Sequence, residues 1–130
     1  MAADWINEEL NGEAKIELIG FPMVDVLIER ADAIKAVIEK ECPNAQIVSE
    51  ISAIDSETGY SQTETVIAAN PDLNCIVSIS DGPACGAYEA AKANGLESDT
   101  FGVFGSDLSN VALGYIADDT SYRGSTDIDV

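Results

Sequence analysis

The sequence predicts an α/β fold: a doubly wound, mostly parallel five-stranded sheet with helices on both faces. Three observations carry that expectation. Short β-branched runs alternate with amphipathic stretches along the whole chain, and Gly, Pro and Asn punctuate the joins between them. The run Cys75-Ile76-Val77-Ser78-Ile79 is free of charge, as a strand covered on both faces should be. A regular strand–helix alternation with right-handed crossovers closes into a parallel sheet, and nothing divides the 130 residues, so residues 1–130 read as one α/β domain.

The elements follow in order. Residues 3–11 can form a helix with Trp5, Ile6 and Leu10 on one face, closed by Asn11-Gly12. Lys15 to Ile19 (KIELI) reads as a strand, broken by Gly20-Phe21-Pro22. Residues 24–41 form the long helix, since Leu27, Ala31, Ile34 and Ile38 recur at helical spacing while Glu29, Lys35, Glu39 and Lys40 ride outside. Cys42-Pro43-Asn44 ends it, and residues 45–52 alternate as a strand. Residues 53–59 (AIDSETG) read as a polar loop and 60–69 as a helix stopped by Asn70-Pro71.

The central strand then runs into a sharp turn and a helix. Asp81 can cap that helix through its carboxylate, Gly82 permits the turn, and Pro83 fits a first helical turn that needs no N–H. Ala84, Gly86, Ala87, Ala90 and Ala91 are small enough to lie close against a sheet, and Asn94-Gly95 ends the helix. Residues 100–104 form the next strand, 109–117 a short helix and 121–128 a last strand.

Bulk numbers exclude several functions. With 46% hydrophobic residues the chain is globular rather than disordered. Its 24 acidic against 6 basic residues give a formal charge of −18, which argues against nucleic acid and against an anionic membrane surface. No apolar run approaches the roughly 20 residues of a membrane span. The acidic start MAADWINEEL is not a signal peptide, so the expectation is a cytosolic protein or an excised piece of a longer one. Cys42, Cys75 and Cys85 have no metal-ligand spacing and there is no His; they read as buried free thiols, with a Cys75–Cys85 bridge as the alternative.

In an open parallel sheet, ligands bind beyond the carboxyl ends of the strands. The loops there present Phe21-Pro22, Ile54-Asp55, Ser80-Asp81-Gly82, Ser106-Asp107 and Thr126-Asp127, with Arg30 in reach on the long helix. This is one guanidinium among carboxylates and hydroxyls, with no nucleophile–base pair. There is no glycine-rich dinucleotide fingerprint after the first strand, no phosphate-cradling loop, and no histidine for a hydrolytic triad. Local roles compete at each position. Asp81 and Asp107 can each cap a helix instead of touching a ligand, and Arg30 can pair with a carboxylate such as Asp25.

The runs KIELIGF, IERADAIKAVIEKECPNAQIV, NPDLNCIVSISDGPACGAYEAAKANG and FGVFGSD together resemble the type I periplasmic sugar-binding proteins, the ribose-binding type above all. They also resemble the effector-binding cores of lactose-repressor-like regulators. The shared pattern is an arginine opening the long helix (Arg30), Pro-Asp before the third strand (Pro71-Asp72), "D…A.GA" after it (Asp81 to Ala87), and "G.D" after the fourth (Gly105-Ser106-Asp107). The resemblance covers nearly the whole chain but only the C-terminal lobe of a two-lobe fold, so the chain is expected to be a cut-out lobe lacking the N-terminal lobe.

The resemblance implies a non-enzymatic carbohydrate (sugar or polyol) receptor with no cofactor and no metal. Arg30 would grip sugar hydroxyls or the ring oxygen, and Asp107 would accept from two adjacent hydroxyls. Ser80 replaces the Asn usual before Asp81 in the ribose type, Ile54 stands nearest the position of a stacking aromatic, and Asp127 falls near a glutamine of the family. These departures leave a polyol, another pentose or a related small polar solute open in place of ribose. The expected ligand-binding set is Arg30, Ser80, Asp81, Asp107 and Asp127. The full-length protein would be the solute-binding component of an ABC transporter, periplasmic or extracellular, possible as a lipoprotein, with a membrane permease as partner. The alternative is the cytoplasmic effector lobe of a transcription regulator, and a third reading is an acidic α/β enzyme domain holding a cation at Asp81 and Asp107.

Overall fold

A computed structural model describes residues 2–126 of the chain. Its elements are α1 (Ala2–Glu9), β1 (Lys15–Gly20), α2 (Asp25–Glu41), β2 (Gln46–Ser52), α3 (Ser56–Ala69), β3 (Cys75–Ser78), α4 (Asp81–Ala93), β4 (Gly102–Ser106), α5 (Asn110–Ala117) and β5 (Tyr122–Thr126). The five strands form one sheet in the order β2-β1-β3-β4-β5, and every pairing is parallel. This is the expected doubly wound fold, with Cys75–Ser78 as its middle strand and the strand order reversing between β1 and β3.

The period-two alternation of each strand divides the core into two layers. Ile16 and Leu18 of β1, Cys75 and Val77 of β3 and Phe104 of β4 pack with Ala3, Ile6 and Ile38 beneath α1 and α2. Ile19, Ile76 and Val103 face the opposite way, onto Val66, Ala84, Ala87, Tyr88, Ala91 and Tyr122 under α3, α4 and α5. Cys42, Cys75 and Cys85 are buried free thiols, and the alternative Cys75–Cys85 bridge does not form.

Several boundaries differ from those expected. Residues 53–59 are not wholly loop: α3 begins at Ser56, because the Asp55 side chain accepts from the Thr58 N–H at 2.8 Å and caps it. Its first turn carries no apolar side chain, so no apolar period marks it. β4 lies two residues further on than 100–104. Ser80, not Asp81, occupies the N-cap of α4, and Asp81 is the first helical residue. Ser109, not Asp107, caps α5, accepting from the Ala112 N–H at 3.2 Å.

Helices α3 and α4 cross closely at two glycines. A Cβ on Gly59 would collide with the backbone of Pro83, and one on Gly86 with the backbone of Ser56. The small residues of α4 thus serve two neighbours: Ala84, Ala87 and Ala91 meet the sheet-side core, while Gly86 admits α3.

Candidate functional site

The candidate site is built where β3 and β4 end beside α2. Arg30, on the second turn of α2, donates through Nη1 to the carbonyl of Ile79 at 3.3 Å, one residue past the end of β3. The same nitrogen lies 3.6 Å from Asp107 Oδ1, beyond the end of β4. The two side chains are 21% and 49% exposed, so the guanidinium is partly covered while the carboxylate faces solvent. Arg30 therefore pairs with Asp107 and not with its helix neighbour Asp25.

Asp107 has an unusual backbone. Its φ is 99° and that of Leu108 is 53°, two consecutive non-glycine residues in the left-handed region. This double turn stops β4 and swings the Asp107 carboxylate back over the strand ends toward Arg30. Its Leu108 amide donates to Ser125 Oγ at 3.0 Å.

Ser80 follows Ile79 directly. Its backbone is fixed by Ser78, whose Oγ donates to the Ser80 carbonyl at 2.8 Å and accepts from the Ser80 N–H at 3.2 Å. Its own Oγ is buried and has no hydrogen-bond partner among the described residues. An unmatched buried hydroxyl costs free energy.

Asp81 behaves differently. It is 1% exposed, and its carboxylate is turned inward. Oδ1 accepts from Tyr122 Oη at 2.5 Å, and Oδ2 accepts from Ser125 Oγ at 2.8 Å and from the Ser109 N–H at 2.8 Å. It caps neither its own helix nor an open site. The structure thus brings Arg30, Ser80 and Asp107 to one edge and takes Asp81 into the interior, while Asp127 lies outside the described residues.

A groove of about 310 Å³ opens beside Arg30, walled by Ala33, Ile34 and Val37 of α2 and floored by Val77, Phe104 and Ser106. A larger hollow of about 560 Å³ lies among the starts of α3, α4 and α5, away from Arg30 and lined by Glu57, Tyr60, Cys85 and Tyr115. Arg30 and Asp107, both expected to meet a ligand, come together at the edge, so the edge is the candidate site in spite of the larger hollow. Met23, Val24, Ile54 and Leu108, all on loops after strands, are exposed apolar side chains around that edge.

Three groups away from Arg30 are perturbed by burial. Burial pushes the Glu17 carboxyl up to about 7, against the hydrogen bond from Thr63 that lowers it. Burial and the hydrogen bond to Asp81 raise the Tyr122 phenol far above its ordinary range, so it stays a donor. Burial, and then the negative charge of Asp81, pushes the Cys85 thiol up to about 11, which leaves it a poor nucleophile at neutral pH. Among the described residues no group of three His, Cys, Asp or Glu side chains is placed to hold a metal ion. No helix of the described residues is long and apolar enough to cross a membrane.

The chemistry on offer is recognition. A guanidinium presents a planar set of donors, and a carboxylate 3.6 Å away presents acceptors. Sugar and polyol hydroxyls, which donate and accept at once, match such a set.

Comparison with known proteins bears on this geometry. A family model described as "Periplasmic binding protein domain" matches residues 1–129. No curated protein matches the chain by sequence. Among solved structures, a Caulobacter myo-inositol binding protein bound to myo-inositol is 27% identical with a TM-score of 0.81 over 91% of this chain and 41% of its own. An ABC transporter periplasmic solute binding protein from Actinobacillus succinogenes with bound D-allose is 26% identical, with a TM-score of 0.78 over 89% of this chain and 41% of its own. A periplasmic ribose ABC transporter protein from Conexibacter woesei, 20% identical with a TM-score of 0.75 over 88% of this chain and 39% of its own, shares the fold. The chain therefore spans less than half the length of the solved structures it matches, corresponding to one lobe of them.

Proposed function

The chain belongs to the periplasmic binding protein domain family, and from that premise we propose that it binds a sugar or cyclic polyol as the C-terminal lobe of an ABC-transporter solute-binding protein. In this reading Arg30 donates to ligand hydroxyls and Asp107 accepts from an adjacent pair of them, with Ser80 next to the Ile79 carbonyl that holds Arg30. The observation that carries the proposal is the Arg30–Asp107 pair, 3.6 Å apart at the open carboxyl edge. The bound myo-inositol and D-allose of two solved structures above 25% identity support the ligand class. The exposed Met23, Ile54 and Leu108 around the edge suit a surface against which a second lobe closes. The whole protein would work in the periplasm or outside the cell and pass its solute to a membrane permease.

A half site binds weakly. Each hydrogen bond to a charged group contributes roughly 1.5–3 kcal/mol, so two such bonds supplied by a missing lobe amount to about 3–6 kcal/mol. A micromolar site, near −8 kcal/mol, then falls to a dissociation constant of about a millimolar or weaker. Titration of the 130-residue chain with myo-inositol, D-allose and D-arabinose, followed by amide and Arg Nε–Hε resonances, tests this. Weak, saturable shifts at Arg30, Ser80 and Asp107 that vanish in Arg30→Ala are expected. Shifts confined to other residues, or a complex that survives Arg30→Ala, would sink the assignment, and a micromolar complex would refute the half-site picture.

A further inference from the structure

We infer that Asp81 is a positioning residue: its buried carboxylate holds the left-handed Asp107–Leu108 turn in the conformation that aims Asp107 at Arg30. The two amides that follow Asp107 are both tied to it. Ser109 N–H donates directly to Asp81 Oδ2 at 2.8 Å. Leu108 N–H donates to Ser125 Oγ at 3.0 Å, and that hydroxyl donates in turn to the same Oδ2 at 2.8 Å. Asp81 thus fixes the turn from 26 residues upstream of Asp107, by one direct bond and one bond relayed through β5.

The carboxylate is suited to the task. It stands at the first residue of α4 and meets the N-cap amide of α5, two helix starts whose dipoles favour a negative charge. Tyr122 Oη supplies the third donor, on Oδ1. Gly105 makes room, since a Cβ there would collide with both Asp81 Oδ1 and Tyr122 Oη. Left-handed backbone at two successive non-glycine residues persists only where its surroundings over-determine it, and these bonds are that over-determination. Asp107 has no such restraint from its own side chain, which reaches Arg30 at 3.6 Å while half exposed.

The consequence for sugar binding rests on the function proposed above; the geometry of the turn does not. The test follows amide hydrogen exchange and HN–Hα couplings of residues 107–109 in the 130-residue chain, alongside a myo-inositol titration. Ser125→Ala cuts the relay alone: Leu108 N–H exchange should quicken at least tenfold while Ser109 N–H stays protected. Asp81→Ala should release both amides, alter the Asp107 and Leu108 couplings, and weaken myo-inositol binding at least tenfold, with amides of β1 and β3 still protected. Tyr122→Phe removes the donor that does not lead to the turn, and should leave residues 107–109 unchanged even if melting falls. If Ser125→Ala leaves Leu108 protected, or if Tyr122→Phe loosens the turn as much as Ser125→Ala does, Asp81 has only a general structural role. A wild-type chain that shows the expected exchange pattern but no myo-inositol binding would count against the proposed function and not against the positioning role.

Discussion

The Thr63 hydroxyl lies 3.0 and 3.1 Å from the two oxygens of Glu17, in the closed layer between β1 and α3. Glu17 is 0% exposed on a strand flanked on both sides, and its carboxyl rises from 4.5 to about 7 through burial. The folded chain therefore binds this proton more tightly than the unfolded chain does. The contribution of Glu17 to stability is fully present below about pH 4.5 and is lost as pH rises through about 7. Glu17→Gln keeps an acceptor for Thr63 without the charge. It should match wild type near pH 4 and be more stable by roughly 2–3 kcal/mol at pH 8. Denaturant melts across that range check the sign: a gap that widens toward low pH would refute the protonated, buried carboxyl.

The crossing of α3 over α4 makes an opposite sign test. Replacing a mid-helix glycine by alanine ordinarily stabilises by about 0.5–1 kcal/mol. At Gly86 the added methyl would strike the backbone of Ser56, and at Gly59 that of Pro83, neither of which can yield as a flexible side chain would. Gly86→Ala and Gly59→Ala should therefore destabilise, by about 1–3 kcal/mol each, as over-packing does. A rise in melting temperature for either would mean that the helices are farther apart than described.

Binding and stability should separate at Arg30. Its ion pair with Asp107 is partly exposed on both sides, and such pairs contribute about 0–1 kcal/mol. Arg30→Ala should therefore shift the midpoint of thermal unfolding by only a few degrees while removing the solute response. A large fall in stability would instead mark Arg30 as a packing residue whose bond to the Ile79 carbonyl holds α2 on the sheet.

Much of this fold was legible because its signals are local. Ile16, Leu18, Cys75 and Val77 alternate with Ile19 and Ile76 in sequence, and that parity sorts them onto the two layers. Parity also puts Glu17 on the same face as Ile19, so its burial was available to a stricter reading of KIELI. The site divides on the same line. Arg30 and Asp107 were found from their places in the chain, and the structure brings their side chains together. Asp81 read either as a helix cap, because a local rule favours Asp before a helix, or as a ligand contact at the strand end. Its actual partners Tyr122 and Ser125 lie 41 and 44 residues downstream, and no local pattern announces a bond across that distance. The start of α3 was missed for the opposite reason: its first turn is held by the Asp55 cap and by backbone contact with α4, and no apolar side chain marks it.

Asp107 itself should trade stability for recognition. A non-glycine residue at a φ of 99° carries strain of the order of 1–3 kcal/mol, which glycine does not. Asp107→Gly relieves that strain, gives back about 0.5–1 kcal/mol through greater freedom of the unfolded chain, and forgoes an ion pair worth about 1 kcal/mol or less. The balance favours the variant by about 1 kcal/mol, although it has lost the carboxylate proposed to accept sugar hydroxyls. Denaturation and a myo-inositol titration of the same sample decide the matter. A chain that melts at or above wild type yet no longer responds to the solute is the expected result. A variant that is clearly less stable would show that the Asp107 side chain supports the fold, and that its left-handed backbone is no sign of a residue kept for binding.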